Sequence, residues 1–147
     1  MTDVEKKPKP NYLWSMFTMR CPRCRRGDMF KDNNPYKKLK LSHIFDMYDE
    51  CPVCRQKFEL EPGFWYGTGY VSYALVVLFS GITFIAWWLI VGISTEDNRV
   101  LYWLLFNGLL IIILQPWFMR VSRVAYLNFF VKYNENYDKE KGKTFDF

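Results

Sequence analysis

The sequence predicts a small cytoplasmic β ribbon held by four cysteines, followed by an α-helical transmembrane hairpin of two spans. Three observations predict it. Of 147 residues 24% are charged, yet no Asp, Glu, Lys or Arg occurs in the 34 positions between Glu61 and Glu96 or in the 20 between Arg99 and Arg120. Uncharged runs of that length read as membrane spans. The flanking segments, 1–61 and 120–147, hold 19 of the 20 Lys and Arg residues and belong in water or at lipid headgroups. All four cysteines fall into two matched Cys-Pro-x-Cys pairs. A single soluble core is therefore excluded, and the chain divides into a polar arm with an apolar flap (1–19), a four-cysteine ribbon (20–61), a two-helix hairpin (62–119) and an interfacial extension with a polar tail (120–147).

Met1 to Pro10 is polar, and the apolar stretch Tyr12 to Met19 is broken by Ser15 and Thr18 and closed by Arg20. That is not a secretory signal, so the N-terminus is expected to stay on. Tyr12 to Phe17 reads either as one or two turns of interfacial helix or as an apolar flap over the ribbon.

Cys21-Pro22-Arg23-Cys24 and Cys51-Pro52-Val53-Cys54 are separated by 26 residues. A Cys-x-x-Cys turn wraps two sulfurs onto one metal ion, and two such knuckles complete a closed tetrahedral shell. Around them, Gln56 to Glu61 alternates as a strand, and Leu39 and Leu41 alternate in Lys37 to Leu41. The pattern is that of a zinc ribbon with ligands Cys21, Cys24, Cys51 and Cys54; iron fits the same four thiolates. A cytoplasmic location keeps these thiols reduced. The alternative is a thiol redox or metal-transfer centre, because Arg23, Arg25 and Arg26 would lower a thiolate pKa. No βαβ pattern supplies the fold such a centre needs.

His43, the single histidine, reads as an exposed loop residue and not as a ligand. Asp46, Asp49 and Glu50 read as a solvated acidic face. The basic set Arg23, Arg25, Arg26, Lys37, Lys38 and Lys40 could contact nucleic acid; anionic lipid is the expected partner beside a membrane.

The first span is expected from about Val71 to Val91, behind the break at Pro62-Gly63 and the interfacial aromatics Phe64, Trp65, Tyr66, Tyr70 and Tyr73. Its 12 Leu, Ile, Val and Phe residues favour insertion by about 4 to 7 kcal/mol before polar costs. Val100 to Met119 carries 12 as well. The short connection Ser94 to Arg99 makes the helices antiparallel neighbours, with Asp97 or Asn98 as a cap for the second. Lys and Arg number 13 before the first span, one in the connection and six from Arg120 onward. That distribution puts both termini in the cytoplasm. Arg120 and Arg123 can snorkel at the inner interface, and Val121, Val124, Leu127, Phe130 and Val131 continue a helical spacing beyond them. From Asn134 the polar tail is expected to fray unless a partner orders it.

Within the spans there is no ionisable Asp, Glu, Lys, Arg or His, which argues against a transporter or pump. Asn107 and Gln115, with Ser80, Gly81 and Thr83 opposite, read as helix-packing contacts.

Residues 20–131 as a whole resemble the bacterial membrane family catalogued as domain of unknown function 983. The likeness rests on Arg20-Cys21-Pro22-Arg23-Cys24, Gly27, Met29-Phe30, Cys51-x-x-Cys54 and the order of the spans. Family members commonly have Gly after each knuckle where this chain has Arg25 and Arg55. Many also have a Gly-Asp-Gly-Pro-like stretch where it has Glu61-Pro62-Gly63-Phe64-Trp65-Tyr66-Gly67. The resemblance implies the architecture and a bacterial cytoplasmic (inner) membrane location. It also implies, through genes that neighbour some members, a role beside respiratory oxidases. The expected function is a non-catalytic accessory, scaffold or assembly protein, with the lipid bilayer and other membrane subunits as partners and no small-molecule substrate.

Overall fold

The computed structural model describes residues 8–37 and 40–142. The first seven residues of the polar arm, the positions of Lys38 and Leu39, and the last five residues of the tail lie outside the described residues, as does the side chain of Leu41. The elements are α1 (Tyr12–Phe17), α2 (Leu41–Ile44), a 3-10 turn (Phe64–Gly67), α3 (Thr68–Val91) and α4 (Arg99–Phe130).

At 1.5 Å per residue α3 and α4 are about 36 and 48 Å long, and both are long and apolar enough to cross a membrane. Gly63, left-handed at φ 81°, turns the chain into the 3-10 turn that leads to α3. Another left-handed glycine, Gly92 at φ 79°, ends α3. Arg99 then reaches back to the Val91 carbonyl (3.0 Å), occupying one of the acceptors a helix end leaves open. Asn98 takes the N-cap position of α4, but without a side-chain cap bond.

Cross-helix contacts pair Phe84 with Trp103, Trp87 with Phe106 and Phe79 with Phe118. Phe79, early in α3, meets Phe118 late in α4, while Phe84 and Trp87 meet Trp103 and Phe106 in its first half, as an antiparallel hairpin requires. Midway, Thr83 donates to Asn107 (2.9 Å) and Asn107 to the Ser80 hydroxyl (3.1 Å). The polar contact expected there is formed. Gly81 takes no part: its exposed position has nothing within 4 Å of an added Cβ. No residue of α3 is buried, so its apolar surface faces outward on nearly every side.

The interfacial aromatics divide. Tyr66, Tyr70 and Tyr73 are exposed, whereas Phe64 is buried against Trp65, Tyr126 and Phe130. An added Cβ on Gly67 would stand 2.3 Å from the Tyr126 hydroxyl, so the start of the hairpin packs onto α4 only because glycine is there. Past Pro116, α4 continues without interruption and buries Arg120, Val121, Val124 and Leu127.

The expected β strands do not form among the described residues. Antiparallel pairing is confined to single bridges, Arg20 with Asp28, Phe30 with Met47 and Glu50 with Lys57. The alternation in Gln56 to Leu60 is nevertheless real: Gln56, Phe58 and Leu60 are buried and Lys57 and Glu59 are exposed. Side chains follow a period of two without a ladder, because their apolar partners come from the cysteine turns and α4 instead of a neighbouring strand.

Of the two readings of the N-terminal apolar stretch the helical one holds, and the tail differs from expectation. Tyr12 to Phe17 is helical; Phe17 stacks on Trp117 at 5.7 Å, whereas Trp14 is exposed. The tail is packed as far as Gly142. Tyr137 is buried in the core, and the Asn134 N–H donates to the Arg23 carbonyl (3.1 Å).

Candidate metal centre

Each cysteine pair closes a tight turn. In the first, Cys21 N–H donates to the Gly27 carbonyl (2.8 Å) and Arg25 N–H to the Cys21 carbonyl (2.8 Å). In the second, Cys51 N–H donates to Gln56 and Arg55 N–H to Cys51, both at 2.9 Å. The residue after each pair, Arg25 or Arg55, is left-handed at φ 54°. The backbone conformation that closes each knuckle costs an L-residue about 1–2 kcal/mol.

The two turns face each other and bring all four sulfurs within 4.8 Å of one another in a buried cluster. The crossed pairs Cys21–Cys54 and Cys24–Cys51 are each 3.7 Å apart. A disulfide needs about 2.05 Å, so neither pair is bonded. Four sulfurs at about 2.3 Å from a central ion define a tetrahedron with edges of about 3.8 Å. The crossed distances match that edge, and the cluster could hold one metal ion.

Gly27 is indispensable to this geometry: an added Cβ would lie 2.3 Å from Cys51 Sγ. Its N–H points at Cys24 Sγ (3.4 Å). Hydrogen bonds from the Cys21, Cys51 and Cys54 thiols hold the Cys24 thiol well below the usual range, and sharing with Cys24 pushes Cys21 well above it. Thiolate is the form in which sulfur binds a metal.

The neighbouring cations are engaged inside the chain. Arg23 is buried and donates to the Glu140 carbonyl (2.6 Å), tying the tail across the first knuckle. Arg25 donates to the Pro10 carbonyl (3.0 Å) and lies over the Tyr12 and Tyr133 rings, while Arg26 reaches Pro8 (3.3 Å). His43 is not exposed as expected: its side chain is 16% accessible and its Nε2 lies 2.9 Å from an Asp32 carboxylate oxygen. It forms no part of the sulfur cluster. Asp46, Asp49 and Glu50 do more than coat a surface, since they line a cleft of about 770 Å³.

Sequence reasoning missed the role of Arg120. It does not snorkel. It is fully buried, its guanidinium stacked 4.6 Å over Phe30 and donating to the carbonyls of Ile44 (3.0 Å), His43 (3.3 Å) and Asp32. This side chain latches the segment between the knuckles to α4. The signal was its register: Arg120 shares a helical stripe with Val124, Leu127 and Val131, all buried.

Comparison of the chain with protein-family models, curated proteins and solved structures finds no match in any of the three.

Proposed function

We propose that the protein is a non-catalytic integral membrane protein of the zinc-ribbon type, in which Cys21, Cys24, Cys51 and Cys54 hold one structural zinc ion. In this reading the ribbon and hairpin serve as an accessory, scaffold or assembly component of a larger membrane complex. A respiratory oxidase is the first candidate, on the resemblance to domain of unknown function 983. The observation that carries the metal assignment is the pair of crossed 3.7 Å sulfur–sulfur distances inside a buried shell. Four thiolates leave no open coordination position, which suits structure and not hydrolysis. Burial also supports it: Cys21, Cys24 and Cys51 are 0% exposed, and thiol–disulfide exchange requires access to a sulfur. The helix pair is read as crossing the cytoplasmic membrane of a bacterium with both termini inside, from the distribution of Lys and Arg.

Elemental analysis of detergent-purified protein is expected to give one zinc per chain, and Cys24→Ser is expected to lose metal and stability together. Four free thiols with far less than one metal per chain, or a Cys24→Ser variant that stays folded while losing a thiol-exchange activity, would favour the oxidoreductase alternative. Thr95→Cys in the connection should react with an impermeant thiol reagent in whole cells and Asp138→Cys should not; the reverse would invert the topology. Native sizing after mild extraction, with identification of co-purifying chains, tests the scaffold role.

A further inference from the structure

Two arginines one turn apart on α4 have opposite fates. Arg120 donates to three carbonyls, one from each of its nitrogens. Arg123 lies between Phe45 (4.1 Å) and Trp65 (5.0 Å), and its single hydrogen-bond contact among the described residues is the weak acceptor Met47 Sδ (3.1 Å). Its Nε is buried and unpartnered. A guanidinium offers five donors, and burying one of them, here Nε, without an oxygen acceptor is costly unless a ligand supplies one.

Arg123 lines the cleft of about 770 Å³ together with Lys31, Asp46, Asp49, Lys57 and Glu59. Lys31 and Asp46 are paired at 2.8 Å and largely cancel. What remains is Arg123 and Lys57 against Asp49, Glu50 and Glu59, an arrangement that disfavours a purely anionic guest and suits one carrying both signs. The cleft lies at the charged boundary of the hairpin: Arg123 follows the uncharged run that ends at Met119, and Trp65 precedes α3. On the membrane-spanning reading, headgroups lie at that level.

We propose that this cleft binds the zwitterionic headgroup of phosphatidylethanolamine, its phosphate on Arg123 and its ammonium toward Asp49 and Glu59. The proposal rests on the membrane-spanning reading, and the two can fail separately. The free phosphate ester glycerophosphoethanolamine offers the same chemistry without the acyl chains.

Native mass spectrometry of the full chain in detergent is the test, with titrations of phosphatidylethanolamine, phosphatidylglycerol, phosphatidylcholine and glycerophosphoethanolamine. One phosphatidylethanolamine per chain is expected to bind at least about tenfold more tightly than the other three, the difference corresponding to one charge-assisted hydrogen bond. Arg123→Met, whose apolar stem can still fill the space between the rings, is expected to abolish the preference while the metal is retained. The exposed Asp49→Asn/Glu59→Gln pair is expected to shift preference toward phosphatidylglycerol, and it decides the matter should Arg123→Met not fold. Equal binding of all lipids, or a preference that survives both variants, overturns the proposal. Equal binding of glycerophosphoethanolamine overturns the lipid as the source. A chain that stays monodisperse without detergent overturns the spanning reading itself.

Discussion

Replacing Arg120 with Met removes the latch between α4 and the inter-knuckle segment while keeping an unbranched apolar stem over Phe30. Three carbonyls lose a charged donor. A hydrogen bond to a charged group contributes about 1.5–3 kcal/mol net, so three would give about 4–9 kcal/mol if each acceptor stayed dry. They do not all stay dry: the contacts to the Asp32 and His43 carbonyls are only partly buried, and water can replace part of what is lost. The variant also no longer carries the cost of keeping a charge buried. The expected net loss is about 3–5 kcal/mol, concentrated in one place. Hydrogen–deuterium exchange should accelerate across residues 40–47, which hold the released His43 and Ile44 carbonyls, and chelator should extract metal faster because Cys51 follows that segment. Protection in α3 should be unchanged. Arg120→Lys, a point charge that cannot fork across separated carbonyls, should fall between. Uniform loss of protection over the whole chain, or no change in residues 40–47, would refute the latch.

Gly27→Ala should reduce bound metal well below one per chain, because its Cβ would stand 2.3 Å from Cys51 Sγ; elemental analysis reads this directly. Arg55→Gly should stabilise by about 0.5–1 kcal/mol in denaturant titration, by relieving a left-handed Arg at an exposed position. Arg25→Gly should not gain, since it forfeits the Pro10 bond and the Tyr12 and Tyr133 contacts. Asn107→Leu should weaken the hairpin by about 0.6 to 1.7 kcal/mol, the range for hydrogen bonds between membrane helices, read by unfolding in mixed micelles. Lys31 holds the Asp46 carboxyl below its ordinary range. Its contribution is present above the unfolded carboxyl pKa of about 3.9 and is lost as pH falls through the lower folded value. An NMR titration should show the Asp46 pKa rising toward normal in Lys31→Met.

Much of this was legible in the sequence, for physical reasons that differ by element. The two helices announce themselves because lack of charge over 20 or more positions is a one-dimensional property that needs no partner to be read. The cysteine pairs are equally local: Pro at the second position and two residues between sulfurs describe a turn before any fold is known. What was illegible depends on long-range partners. The strand expected at Gln56 to Glu61 has the right alternation, but a ladder requires a second strand of matching length, and the turn around Cys51 and Cys54 permits pairing only at Glu50 and Lys57. Arg120 looked like an interfacial charge because its acceptors lie 76 to 88 residues away in the chain. The tail looked free because polar composition says nothing of Tyr137, whose ring packs into the core.

These long-range contacts bear on what the cysteine cluster does. Had the ribbon been a bead on a tether, Cys21, Cys24, Cys51 and Cys54 would share a core only with each other's loops. Instead they belong to one buried cluster with Phe64 at the head of the hairpin, Val121, Val124 and Leu127 of α4, and Tyr137 of the tail. Arg120 ties the middle of the ribbon to α4, Arg23 ties the tail to the first knuckle, and Gly67 lets the hairpin close on Tyr126. An ion bound by four thiolates would then fix more than two turns. It would also fix how α4 sits on the two knuckles, because Val121, Val124 and Leu127 of that helix share the cysteine core. Metal and helix orientation are one cooperative unit on this account, which is a property suited to a scaffold and of little use to a carrier that must release its ion.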